Sequence, residues 1–93
     1  MTEKDIEQYL RDKVKAVGGI AYKFVSLGNR GVPDRLVLLP TGKIAFVELK
    51  APGKKSTALQ ELQQKRISNL GFKVLVIDSK TKVDEFIKGM MLG

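Results

Sequence analysis

Two short apolar runs, Leu36-Val37-Leu38-Leu39 and Ile44-Ala45-Phe46-Val47, flank the turn sequence Pro40-Thr41-Gly42-Lys43. Paired as a β-hairpin, they set the start of the first strand beside the end of the second. Asp34 opens the first run, and Glu48 and Lys50 close the second, so the hairpin gathers all three at one end of a sheet. Side chains alternate along a strand, which puts Glu48 and Lys50 on one face and Leu49 on the other. Two carboxylates and an ammonium converging there make a divalent-metal site with a cation beside it. That is the apparatus for cutting a phosphodiester.

The flanking sequence reads as elements that could hold such a hairpin. Thr2 caps a helix running to about Val17, with Asp5 in the reciprocal box position and Glu3 in the first turn. Ile6, Leu10, Val14 and Val17 form its apolar stripe, and Gly18-Gly19 stops it. Ile20 to Val25 reads as a strand and Ser26 to Val32 as a glycine-containing loop. The hairpin strands span roughly Arg35 to Leu39 and Lys43 to Leu49, followed by the basic loop Ala51 to Lys55. A second helix runs from about Thr57 to Leu70 on Leu59, Leu62 and Ile67. Phe72 to Ile77, nearly continuous in apolar character, is expected to be a buried strand. Thr81 to about Met90 reads as a last helix through Val83, Phe86 and Ile87. The order αβββαβα predicts one α/β domain over residues 1–93, a mixed central sheet flanked by helices.

Composition narrows the chemistry. A chain of 93 residues supports one modest core. Without cysteine or histidine it has no disulfide frame, no thiolate zinc site and no Ser-His-Asp or Cys-His catalysis. A metal here must be held by oxygen, which favours Mg²⁺ or Mn²⁺. The net charge of +7 points to a polyanionic partner rather than a small-molecule substrate. No apolar run approaches the ~20 residues that span a bilayer, and the charged N-terminus lacks a secretory core. No membrane partner and a cytoplasmic address are therefore expected.

Gly31-Val32-Pro33-Asp34 and Phe46-Val47-Glu48-Leu49-Lys50-Ala51-Pro52-Gly53 carry a family resemblance, together with an early helix bearing glutamate and Gln60 on the next helix. From Glu3 to Ile77 the chain resembles the virus-type replication-repair nuclease (VRR-NUC) branch of the PD-(D/E)xK nuclease superfamily. An acid-x-Lys triplet alone is cheap: Asp78-Ser79-Lys80 repeats it after another strand and reads as a turn. Order, spacing, strand placement and covered length together are specific. The resemblance implies a restriction-endonuclease-like fold and a Mg²⁺- or Mn²⁺-dependent endodeoxyribonuclease. It implies metal ligation by Asp34, Glu48 and the Leu49 carbonyl, with Glu3 contributing directly or through water. It gives Lys50 the orientation of the attacking water and gives Gln60 an active-site role. It also implies a homodimer acting on branched DNA such as four-way junctions, in viral or mobile-element replication, recombination or repair in a host cytoplasm.

Each residue also has a plainer reading. Asp34 could be a turn residue after Pro33, and Glu48 could merely pair with Lys50 or Arg35. Glu3 falls inside the helical arc of Ile6, Leu10, Val14 and Val17, so it is expected to aim toward the sheet, with Glu7 at the margin as the alternative carboxylate. Thr57-x-x-Gln60 is equally a capping box. Lys23, Arg30, Arg35, Lys54 and Lys55 gather around the motif segments and are expected to contact a nucleic-acid backbone. Tyr9, Tyr22, Phe24, Phe86 and Met90-Met91 could form an intersubunit surface or belong to the core. The rival function is a basic DNA-binding module that keeps the fold without catalysis, and the intact Asp34, Glu48 and Lys50 argue against it.

Overall fold

The computed structural model describes residues 1–92. Helix α1 (Glu3–Ala16) precedes strands β1 (Ile20–Lys23), β2 (Arg35–Leu39) and β3 (Lys43–Leu49); α2 (Ala58–Asn69), β4 (Lys73–Ile77) and α3 (Lys80–Leu92) follow. The strands form one four-stranded sheet in the order β1-β2-β3-β4. The first two pairings are antiparallel, and β3 runs parallel to β4. Order, strand count and fold class agree with the sequence reading.

Local chemistry sets the ends of α1. Thr2 and Asp5 exchange backbone-to-side-chain hydrogen bonds, Thr2 N donating to Asp5 Oδ2 at 2.8 Å and Asp5 N to Thr2 Oγ1 at 3.2 Å. At the other end Gly18 N donates to Lys15 O and Gly19 N to Val14 O. This Schellman closure needs the left-handed backbone that Gly18 adopts at φ +88°.

Register decides what each sheet face carries. Val37, Ala45, Val47, Leu49 and Ile77 share one face and are buried with Ile6, Leu10 and Val14 of α1 and Val83, Phe86, Ile87 and Met90 of α3. That is the hydrophobic core, and it burdens one face only. On the other face Tyr22, Leu36, Phe46 and Val74 form one cross-strand row, and Ile20, Leu38 and Ile44 another. Phe46 meets Phe24 and Phe72 edge-on, with ring centres 5.5 and 6.0 Å away. Helix α2 packs against β4 on this second side.

Two expectations change here. The fourth strand is not buried throughout: β4 is the sheet edge, Val76 is 37% exposed, and only its core-side residue Ile77 is closed off. Nor does α2 rest on its leucines. Leu59 and Leu62 are 44% and 45% exposed, whereas Gln63 is buried. One turn before Gln63, Gln60 reaches Glu48 and Lys50 at the polar end of β3.

Candidate active site

The hairpin register pairs Arg35 with Val47, and one step further sets Asp34 opposite Glu48. The ladder continues on both sides: Phe24 N donates to Asp34 O at 2.8 Å, and Glu48 is level with Val76. The Asp34 carboxylate takes the next rung for itself, its Oδ2 accepting from Leu49 N at 2.8 Å. That bond pins Asp34 to the end of β3.

Glu48 is 2% exposed, although it lies where the strand ends. Its Oε2 accepts from Gln60 Nε2 at 3.2 Å and lies 3.4 Å from Lys50 Nζ. Its Oε1 is buried and has no hydrogen-bond partner. An unpaired, desolvated carboxylate oxygen is costly. Burial first, and then the neighbouring Asp34 charge, push Glu48 from its ordinary 4.5 up to about 7, against the opposing pull of Lys50.

Lys50 completes a triangle. Its ammonium donates to Gln60 Oε1 at 2.7 Å, and its backbone N–H donates to Ile77 O at 3.0 Å across to β4. Gln60 also closes the capping box of α2: Thr57 N donates to Gln60 Oε1 at 2.9 Å, and Gln60 N donates to Thr57 Oγ1 at 3.2 Å. One amide thus closes the cap and also contacts Glu48 and Lys50.

The structure thus gathers Asp34, Glu48, Lys50 and Gln60, with Leu49 held between them through its N–H. It does not bring Glu3 along. Glu3 is exposed with the rest of the first five residues, and the buried stripe of α1 begins only at Ile6, three residues further on. Glu7 is the carboxylate of α1 tied to the motif strand, and it bonds Arg35 at 2.7 Å rather than facing Asp34. Arg35, expected at a nucleic-acid backbone, is 12% exposed and also donates to Ala21 O at 3.3 Å. It points to the helix side because it shares the face of Val37. Lys23, Arg30, Lys54 and Lys55 are exposed.

Among the described residues no three His, Cys, Asp or Glu side chains are arranged to hold a metal ion. The donor set is instead two carboxylates, one with an orphaned buried oxygen. That fits Mg²⁺ or Mn²⁺, since Mg²⁺ commonly takes one or two carboxylates and keeps its remaining waters. The chemistry is all oxygen, as the absence of cysteine and histidine requires. What sequence reasoning missed is the packing of Gly31 on α2 and the Glu7–Arg35 pair; both join residues far apart in the chain.

No family model matches the chain. A protein named "Putative nuclease p44", from Acyrthosiphon pisum secondary endosymbiont phage 1, is 58% identical over 78 residues, which is 84% of this chain and 84% of that one. A solved structure described as a "VRR_NUC domain" superposes with a TM-score of 0.87 at 33% identity, covering 95% of this chain and 97% of its own.

Proposed function

The chain belongs to the VRR-NUC family and is a nuclease with DNA as its implied substrate, and we propose that it is a metal-dependent endodeoxyribonuclease selective for branched DNA and acting as a homodimer. The observation that carries the metal-dependent reading is Glu48 Oε1, buried and unpartnered on a carboxylate opposite Asp34 whose other oxygen lies beside Lys50. Asp34, Glu48 and the Leu49 carbonyl are the residues that would hold Mg²⁺ or Mn²⁺. When bound, the ion would supply a water of lowered pKa and neutralise a non-bridging phosphate oxygen.

The chain's own groups do the rest. Lys50, anchored by Gln60, directs its remaining protons at the nucleophilic water and at charge building on the phosphate. Gln60 keeps Lys50 from collapsing fully onto Glu48, so that the carboxylate retains an oxygen for the ion. Of the two α1 carboxylates, Glu7 is the better placed to support the site, through Arg35, while an exposed Glu3 could reach it only by way of water. Lys23, Arg30, Lys54 and Lys55 would take the flanking phosphates. No base-reading chemistry is identifiable, so selectivity would come from DNA shape.

The homodimer reading is supported by the second sheet face. Ile20, Tyr22, Ile44 and Phe72 are 50%, 52%, 39% and 44% exposed, in or beside the rows that lead to Glu48. A second copy seated there would bring two sites to one DNA. Of the residues named for such a surface, Phe86 and Met90 are core, and Tyr9 packs against the core and bonds Asp84 at 2.8 Å, which leaves Tyr22, Phe24 and the exposed Met91 of α3. No helix among the described residues is long and apolar enough to cross a membrane. The phage origin of the p44 relative supports a role in a host cytoplasm.

Cleavage of labelled single strand, duplex, flap and four-way junction under Mg²⁺, Mn²⁺ or EDTA tests the reading, with Glu48→Ala alongside. Metal-dependent cutting that vanishes in the variant and favours the junction is expected. Binding without cutting on every substrate would return the chain to the non-catalytic alternative. Sedimentation at micromolar concentration tests assembly: a monomer with and without DNA would end the paired-site idea.

A further inference from the structure

The Gln60 side chain has only one orientation that satisfies its neighbours. Thr57 N–H and the Lys50 ammonium are both donors, at 2.9 and 2.7 Å from the same amide oxygen. Turned over, the amide would set its NH₂ against two donors and its oxygen against the Glu48 carboxylate. The backbone of α2 therefore fixes which end of the amide meets Glu48. Whether that amide reaches β3 at all depends on where the first turn of α2 rests.

It rests on the loop that carries Asp34. Gly31 sits at φ +82°, and a methyl group built on it would lie 3.0 Å from the carbonyl carbon and oxygen of Leu59 and 3.1 Å from Gln60 N. These are backbone atoms, which cannot swing aside as a side-chain tip could. The loop before Asp34 and the first turn of α2 thus touch so closely that a methyl group would force their backbones apart by a few tenths of an ångström.

We propose that Gly31 and Thr57 are positioning residues that seat the Gln60 amide between Glu48 and Lys50. Gly31 sets the depth of the α2 N-terminus against the motif loop, and the Thr57 hydroxyl, accepting from Gln60 N at 3.2 Å, holds the first turn so that the Thr57 N–H meets the amide oxygen. Neither touches the reacting atoms. The proposal rests on Glu48 and Lys50 being the reacting groups of the nuclease, and it adds two residues that act on them through a third.

Gly31→Ala is tested against Gly42→Ala. Gly42 shares the left-handed backbone, at φ +77°, but a methyl group there meets nothing within 4 Å. Both variants carry the same backbone strain, and only the first displaces α2. Gly31→Ala is expected to lower kcat by about ten- to a hundredfold with KM nearly unchanged, while Gly42→Ala lowers the melting temperature and leaves kcat intact. Thr57→Val is expected to lower kcat, and Thr57→Ser to restore it. A second readout needs no cleavage: the Gln60 side-chain amide resonances of the metal-free protein should move in Gly31→Ala and Thr57→Val and stay fixed in Gly42→Ala.

Equal kcat losses in Gly31→Ala and Gly42→Ala would overturn the proposal, as would Gln60 resonances indifferent to Gly31. Should Gly31→Ala fail to fold, the Thr57 pair decides alone: a Val variant as active as the Ser variant overturns the assignment. A wild-type protein that cuts no DNA, with Gln60 resonances still responding to Gly31, would remove the nuclease reading and leave the seating of Gln60 standing.

Discussion

Strands β3 and β4 run parallel as neighbours, and each ends in an acid followed two residues later by a lysine. Glu48 and Lys50 end β3; Asp78 and Lys80 follow β4. At Glu48 the acid is 2% exposed, keeps one oxygen without a partner, and is raised to about 7. At Asp78 the side chain is 22% exposed, pairs with Lys82 at 2.9 Å and accepts from Gly53 N at 3.3 Å. There the bond to Lys82, then the Gly53 backbone, hold the carboxyl below its ordinary value. Lys80 meanwhile lies over the Tyr9 ring, 5.2 Å from its centre. The same triplet yields a strained site in one strand and a satisfied cap in the next. The difference comes from the neighbours: Glu48 faces the carboxylate of Asp34 at the start of the adjacent β2 and bonds Gln60, whereas Asp78 leads into α3, where Ser79 Oγ accepts from Lys82 N at 3.1 Å.

Removing an acid should break the comparison most sharply. Asp34→Ala is expected to abolish metal-dependent cleavage while DNA binding holds or strengthens, because a negative charge leaves a surface that meets phosphates. Retained cutting would sink the assigned site. The two lysines come next. Lys50→Ala should cost roughly a hundred- to a thousandfold in kcat, the scale for losing one preorganised donor to transition-state charge, and Lys80→Ala should cost none.

The two acids should also respond to pH with opposite sign. Glu48 titrates near its ordinary 4.5 when unfolded and at about 7 when folded, so between those values the folded metal-free protein holds a proton that the unfolded chain has released. Stability from this group is full below 4.5 and falls as pH rises through about 7. Asp78, lowered from 3.8, behaves in reverse: its contribution is full above that value and fades as pH falls through the lower folded value. Thermal melts from pH 4 to 8 should therefore show a decline that Glu48→Gln flattens, and added Mg²⁺ should offset it at the alkaline end by binding the folded state. A decline unchanged in Glu48→Gln would place its origin elsewhere.

Much of the scaffold was legible because it is written locally. The Thr2–Asp5 and Thr57–Gln60 boxes, the hairpin strands and the Asp34, Glu48 and Lys50 convergence each follow from spacing within one or two elements. Periodicity, however, reports which side of an element is apolar and not whether anything covers it. Hence Leu59 and Leu62 stay half exposed, β4 shows Val76 at the edge, and Tyr22 lies open at the end of the Phe46 row. The arc that pointed Glu3 inward assumed that burial extends to the first residue of α1, whereas it begins at Ile6. Arg35 was legible as basic, but its bond to Glu7 joins residues 28 apart in the chain. Gly31 against Leu59 is non-local in the same way.

The smallest expected effect lies at Asp78 and bears on the comparison from the other side. Its Oδ2 holds Gly53 N, in the loop that presents Lys54 and Lys55, while its other oxygen holds Lys82. Asp78→Ala removes both bonds at a partly exposed position whose Lys82 partner is open to solvent, where ion pairs contribute little. A slight loss of stability should result, together with a small rise in KM as the basic loop loosens, and kcat should not change. Raising the salt concentration should shrink the stability difference, since screening already weakens an exposed pair in the wild type. A kcat loss on the scale of Lys50→Ala would mean that the two strand ends share the chemistry, and the contrast between a buried, unpartnered acid and a capped one would no longer separate site from scaffold.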